Sequence, residues 1–172
     1  GFAVRRPPEL AGDDAPDAPA IRHALEAIQP SGYQPDDLVI HLRPTAPFRT
    51  PEEITKVAEL LRRFPADSVV SVVPTKEHPR KAFRETGEII GIFPELVAYT
   101  GASALGESSQ GLPPVWHAAG FIDGAKIGPF LRQGRMDPDP ILGWPAPAGR
   151  SLDLDVEEDW QRAEALARER GW

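Results

Sequence analysis

The feature that most narrows the fold is a pair of near-continuous apolar runs with one strongly marked helix between them. Leu38-Val39-Ile40-His41-Leu42 and Asp67-Ser68-Val69-Val70-Ser71-Val72-Val73 are short and rich in β-branched residues, with little alternation. Runs of this kind suit strands covered on both faces, as in a parallel sheet; strands with one wet face alternate apolar and polar residues. Between them, Thr50-Pro51-Glu52-Glu53 combines a capping threonine, a first-turn proline and a glutamate three residues after the cap. Ile54, Val57, Leu60 and Leu61 then recur at helical spacing. Upstream, Ile21, Leu25 and Ile28 predict a helix to about Gln29, stopped by Pro30-Ser31-Gly32. Parallel strands need a crossover connection, usually a helix. The expectation is therefore an α/β sheet, with Phe2 to Val4 as a further short strand closed by Arg5-Arg6-Pro7-Pro8.

The middle of the chain has a different texture. Residues 74–125 carry short β-like pieces, Glu88 to Ile92 and Trp116 to Ile122, separated by the Gly/Ser-rich stretch Gly101 to Gly111. They are expected to form an arm inserted into a single domain spanning 1–172. Gly128 to Gln133 predicts a short helix and Ile141 to Trp144 a strand. A last helix is expected from about Val156 to Arg170, with Trp160, Ala163 and Leu166 or Ala167 inward.

Charge and composition exclude several functions. A net charge of -7 disfavours a general nucleic-acid surface, so an anionic ligand needs a local basic cluster. The chain has no cysteine, which removes disulfides, thiolate nucleophiles and Cys-type zinc sites and fits a cytoplasmic protein. No apolar run approaches the roughly 18 residues of a membrane span.

Candidate chemistry gathers at the ends of predicted strands. In Ser151-Leu152-Asp153-Leu154-Asp155-Val156-Glu157-Glu158, residues two apart on an extended backbone share a side. Asp153 and Asp155 can then hold a hard cation such as magnesium, which commonly shares its shell with phosphate. The same residues also fit a helix start, with Asp155 as N-cap and Glu158 three positions later. Arg43 and Arg49 flank the turn after the first buried run, where open α/β sheets place ligands, and their forked donors suit phosphate or carboxylate. Arg6 and Lys81 also follow predicted strands and would add charge at the same edge. His41 is expected to be a packed strand histidine.

In order along the chain come Arg6-Pro7-Pro8-Glu9-Leu10-Ala11-Gly12-Asp13, Leu42-Arg43-Pro44-Thr45-Ala46-Pro47-Phe48-Arg49-Thr50, Asp67-Ser68-Val69-Val70-Ser71-Val72, His78-Pro79-Arg80-Lys81, and Asp153-Leu154-Asp155 with Asp159-Trp160. Together they resemble the acylneuraminate cytidylyltransferases, the CMP-sialic acid synthetases and their relatives. The resemblance implies a Rossmann-like nucleotidyltransferase fold with a β-rich dimerisation arm, and hence a homodimer. It implies transfer of CMP from CTP to the anomeric hydroxyl of a sialic-acid-like 2-keto sugar acid, with release of pyrophosphate. It implies Mg2+ at Asp153 and Asp155 as the catalytic, metal-binding pair, Arg6 at the nucleotide, and Arg43, Thr45 and Lys81 at the acidic sugar.

The chain also departs from the family pattern. The family's opening strand and glycine-rich triphosphate loop are absent, equivalent to roughly 60 residues if two strand-helix units precede Gly1. This chain alone is accordingly expected to be inactive, or nearly so, with CTP. Arg43 replaces a common glutamine, Ser109 a common arginine and Ala119 a common asparagine, while Asp17 falls near a frequent serine. With the changes at Ser109 and Ala119, a related acidic sugar or another hydroxylated acceptor fits as well as sialic acid itself. A non-catalytic binding or assembly module of the same fold, and a nucleotidyltransferase for a different sugar or base, are the competing expectations.

Overall fold

The computed structural model describes residues 1, 3–90, 92–101, 104 and 106–171, and the backbone but not the side chain of Ser31. The described chain is mixed α/β and divides into two units, one of Gly1–Val72 with Ala118–Trp172 and one of Val73–His117. No helix among the described residues is long and apolar enough to cross a membrane.

The first unit is built on helix α1 (Asp17–Ile28), strand β1 (Leu38–His41), helix α2 (Pro51–Arg63) and strand β2 (Ser68–Pro74). The Thr50 capping box forms as its residue types dictate: the Glu53 amide donates to the Thr50 hydroxyl at 3.3 Å and the Thr50 amide donates to the Glu53 carboxylate at 2.9 Å. Strands β3 (Phe83–Ile90) and β4 (Phe93–Ala98) belong to the second unit. The chain continues through β5 (Trp116–Ala118), β6 (Asp123–Lys126), helix α3 (Ile127–Gln133), β7 (Ile141–Pro145) and helix α4 (Glu157–Arg170).

The main sheet runs β1-β6-β2-β5, with β7 also pairing β2. β6 is antiparallel to both β1 and β2, whereas β7 is parallel to β2. The sheet expected to be parallel is therefore mixed at β1 and β2. They run in the same direction, joined through α2, but β6 lies between them. β6 has the sequence Asp-Gly-Ala-Lys, without the β-branched content that marks a central strand. Its small residues suit the close approach of helices. At Gly124 a side-chain carbon would stand 2.8 Å from the Ile40 side chain and 3.0 Å from those of Leu61 and Val57. Val57, Leu61, Val69, Phe121 and Ile122 form the core on that side, while Leu25, Ala125, Ile127 and Phe130 form a second cluster with α1 and α3. Gly124 and the next residue, Ala125, thus serve opposite faces of the strand.

Three local expectations change. Phe2 lies outside the described residues, and Ala3 and Val4 are not in a strand. Asp155 is not the cap of α4. The N-cap is Val156, and the Asp159 carboxylate accepts from the amides of Val156 at 3.3 Å and Asp155 at 3.4 Å. Trp160 is 54% exposed, so only Ala163 of the expected inner residues is fully buried, with Leu166 and Ala167 partly so.

The second unit is dominated by the β3–β4 hairpin, narrower than the expected excursion over 74–125. Its register shifts between Glu85 and Ile89, and Gly87 occupies that irregularity at φ 93, a backbone region open to glycine at little cost. Ile89, Ile90, Ile92 and Phe93 near the tip are all at least 65% exposed.

Candidate functional site

The first unit gathers polar groups where β1 ends. Its turn begins at Arg43, whose carbonyl accepts from the Ala46 amide at 3.2 Å. Arg49 closes this turn, donating one arm of its guanidinium to the Arg43 carbonyl and the other to the Phe121 carbonyl at 3.2 Å. The two arginines that look alike in sequence therefore differ. Arg49 is committed to backbone carbonyls, while Arg43 retains free donors.

The segment holding Gly120 is fixed from beneath by Ser71 on β2. The Ser71 hydroxyl accepts from the amides of Phe121 at 3.0 Å and Ile122 at 3.1 Å. It also donates to the Asp123 carboxylate at 3.1 Å, which accepts from the Ser71 amide at 3.0 Å. Ser71 and Asp123 are buried, so this network satisfies groups that would be costly to leave unpaired.

The acidic segment 151–155 is held in place twice. Arg150 pairs with Glu53 at the start of α2 and donates to the Phe48 carbonyl at 3.4 Å. The Leu154 amide donates to the Thr45 carbonyl at 2.9 Å. Thr45 thus enters the site through its backbone. Residues 151–155 adopt no regular strand, and the two aspartates differ in burial: Asp153 is half-buried and Asp155 exposed.

Asp153 and Arg43 meet at Gly120. That glycine has φ +61, and a methyl group on it would stand 3.1 Å from a terminal nitrogen of Arg43 and 3.4 Å from an Asp153 carboxylate oxygen. The two charged groups therefore lie no farther apart than the sum of those distances, yet form no direct ion pair. Other atoms here are buried without a hydrogen-bond partner: Asp153 Oδ1, Arg43 Nε and His41 Nδ1. Buried polar groups normally find partners, so unmatched polar atoms clustered at a strand end mark a place that a ligand can complete.

Asp17 and His41 complete the cluster. Asp17, at the start of α1, lies 3.5 Å from a terminal Arg43 nitrogen and 4.0 Å from His41 Nε2. On β6, Asp123 faces His41 across the antiparallel register. Burial pushes the His41 imidazole below its ordinary pKa, opposed by the Asp17 carboxylate. His41, Ser71 and Asp123 are not site candidates by sequence, and Asp17 is marked there only as a departure from a frequent serine. The available signal was His41 two positions before Arg43, which places both side chains on one side of an extended strand end.

The remaining expected residues, Arg6 and Lys81, make none of these contacts. Arg6 is exposed and borders an open hollow with Arg5, Pro8, Ala11 and His23, and makes no hydrogen bond or ion pair among the described residues. Lys81 belongs to the second unit, where its ammonium donates to the Glu107 carbonyl at 2.9 Å and to the Ser109 hydroxyl at 3.1 Å.

Among the described residues, no group of three or more His, Asp or Glu side chains is placed to hold a metal. Magnesium commonly takes only one or two carboxylates and completes its shell with water and phosphate. The unpartnered Asp153 Oδ1 fits the demand for one such carboxylate, while exposed Asp155 lines an open hollow with Leu154, Val156, Glu157 and Trp160. No family model matches the chain.

Proposed function

We propose that this chain carries the acceptor-side and metal-side residues of a nucleotidyltransferase of the CMP-sialic acid synthetase type, with CTP as donor and a 2-keto sugar acid as acceptor. The observation that carries the reading is the juxtaposition of Arg43 and Asp153 at Gly120, each with a buried polar atom lacking a partner. The ordered motifs along the chain supply the chemistry, and the shared direction of β1, β2 and β7 supports a Rossmann-like sheet.

In the proposed reaction the anomeric oxygen bonds to the α-phosphorus of CTP. The bond from that phosphorus to the β-phosphate bridge oxygen breaks, pyrophosphate leaves with the electron pair, and the hydroxyl proton passes to water. Bound magnesium would offset the negative charge of the phosphates. Asp153 and Asp155 would hold it. Arg43 orients the acceptor carboxylate through its forked donors. Gly120 leaves the space between Arg43 and Asp153 open. Arg49 and Ser71 keep the two backbone segments in register around it.

Competition binding with CTP, UTP, GTP and ATP, each with magnesium or with chelator, tests this. CTP should bind best and only with magnesium. Equal binding of all four, or binding indifferent to magnesium, contradicts the proposal.

The exposed apolar hairpin tip supports a homodimer, since contiguous apolar surface of this kind commonly marks an interface. Sedimentation should give a dimer that Ile90→Lys with Phe93→Lys converts to a folded monomer. A wild-type monomer at all concentrations tested removes this part of the proposal.

A further inference from the structure

We propose that Asp17, His41 and Arg43 form one acid-reading unit, in which Arg43 takes the anion and Asp17 and His41 are positioning residues that aim it and set its effective charge. One terminal nitrogen of Arg43 faces Asp17 at 3.5 Å, and the other lies toward Gly120 and Asp153. Its Nε is buried and unpartnered. Half of the guanidinium is therefore anchored while half remains available, the arrangement needed to present a planar fork in one orientation.

His41 tunes this unit through the shared carboxylate. Asp17 stands 4.0 Å from His41 Nε2, so the imidazole and the guanidinium compete for one anion. Other charges facing His41 are Asp123 from β6 and Arg49 from the turn before α2. With His41 neutral, Asp17 largely offsets Arg43. When His41 gains a proton, two cations share one carboxylate and the unit carries a net positive charge. Burial favours the neutral imidazole, so the change occurs below the ordinary value of 6.5. Anion affinity should consequently rise as pH falls through the titration of His41.

This unit rests on the proposed function only for its natural ligand, the acceptor carboxylate. Its test needs no nucleotide, so failure of CTP binding and failure of the unit are distinguishable. Inorganic sulfate is titrated into the full chain from about pH 5 to 8, where imidazoles change charge and sulfate does not, at constant ionic strength. The Arg43 Nε–H resonance is followed by NMR. Sulfate should shift that resonance, with affinity increasing about three- to tenfold at the acid end. His41→Gln should flatten the profile at the weak, neutral-pH affinity, and Asp17→Asn should tighten binding throughout. Arg43→Gln should abolish the response. Thermal melts establish that each variant is folded, and the wild-type resonance alone decides the point if one is not. An Arg43 signal unmoved by sulfate, a pH profile unchanged in folded His41→Gln, or unaltered affinity in folded Asp17→Asn overturns the proposal.

Discussion

Replacing Asp153 with asparagine should abolish the magnesium dependence of CMP binding and weaken that binding by at least about tenfold, while leaving the fold as stable as before or more so. The two halves of this expectation have one cause. Asp153 Oδ1 is buried with no partner. A carboxylate kept for structure would be paired, and its loss would destabilise the protein by leaving partners exposed to desolvation. A carboxylate kept for a ligand is a cost to the free protein, relieved when its charge is removed; stabilisation of about 1 kcal/mol is the scale expected. The same change at exposed Asp155 should have a smaller effect on stability, because water already solvates that group. Calorimetry with CMP and magnesium, alongside urea unfolding, checks both halves. A destabilised variant that still binds CMP with magnesium would assign Asp153 a structural role.

Ser71→Ala should be the more damaging change to the fold, at about 3 kcal/mol. One hydroxyl accepts from two buried amides, those of Phe121 and Ile122, and donates to buried Asp123. Alanine leaves all three without that partner at once. In a chain of 172 residues the loss corresponds to a fall of about 6–12 °C in the unfolding midpoint. Because the same amides fix the segment containing Gly120, sulfate and CMP binding should weaken along with stability. A loss under about 1 kcal/mol would mean that another group takes over the Ser71 contacts.

The parts of this molecule legible in sequence are those set by local patterns. The α2 capping box needs only neighbouring residues, and it forms as written in Thr50 and Glu53. β1 and β2 announce themselves through consecutive apolar positions. β6 does not, because a strand squeezed between two others and under α2 is selected for smallness at Gly124 and Ala125, the opposite of a propensity signal. The start of α4 was misread because several acids in a row fit the same cap, and only the chain path decides that Asp159, and not Glu158, folds back to the N-cap amide. In the site, Arg43 and Asp153 were visible as charged groups beside apolar strands. His41 and Asp17 acquire meaning only through their proximity across α1 and β1, and Ser71 through contacts with residues 50 or more positions away. Residue type and spacing alone do not separate Arg49 from Arg43, both arginines in one turn; the carbonyl partners of Arg49 make the distinction.

The central claim is that Arg43, Gly120 and the Asp153 segment form a magnesium-dependent nucleotide and acid site. The most direct measurement is amide NMR of the full chain with CMP, first with magnesium and then with manganese in its place. The account predicts shifts at Thr45, Gly120 and Asp153 to Asp155 that require the metal, with manganese broadening the same amides selectively and Asp153→Asn eliminating both effects. Shifts confined to other parts of the chain, or the same pattern in Asp153→Asn, would contradict it.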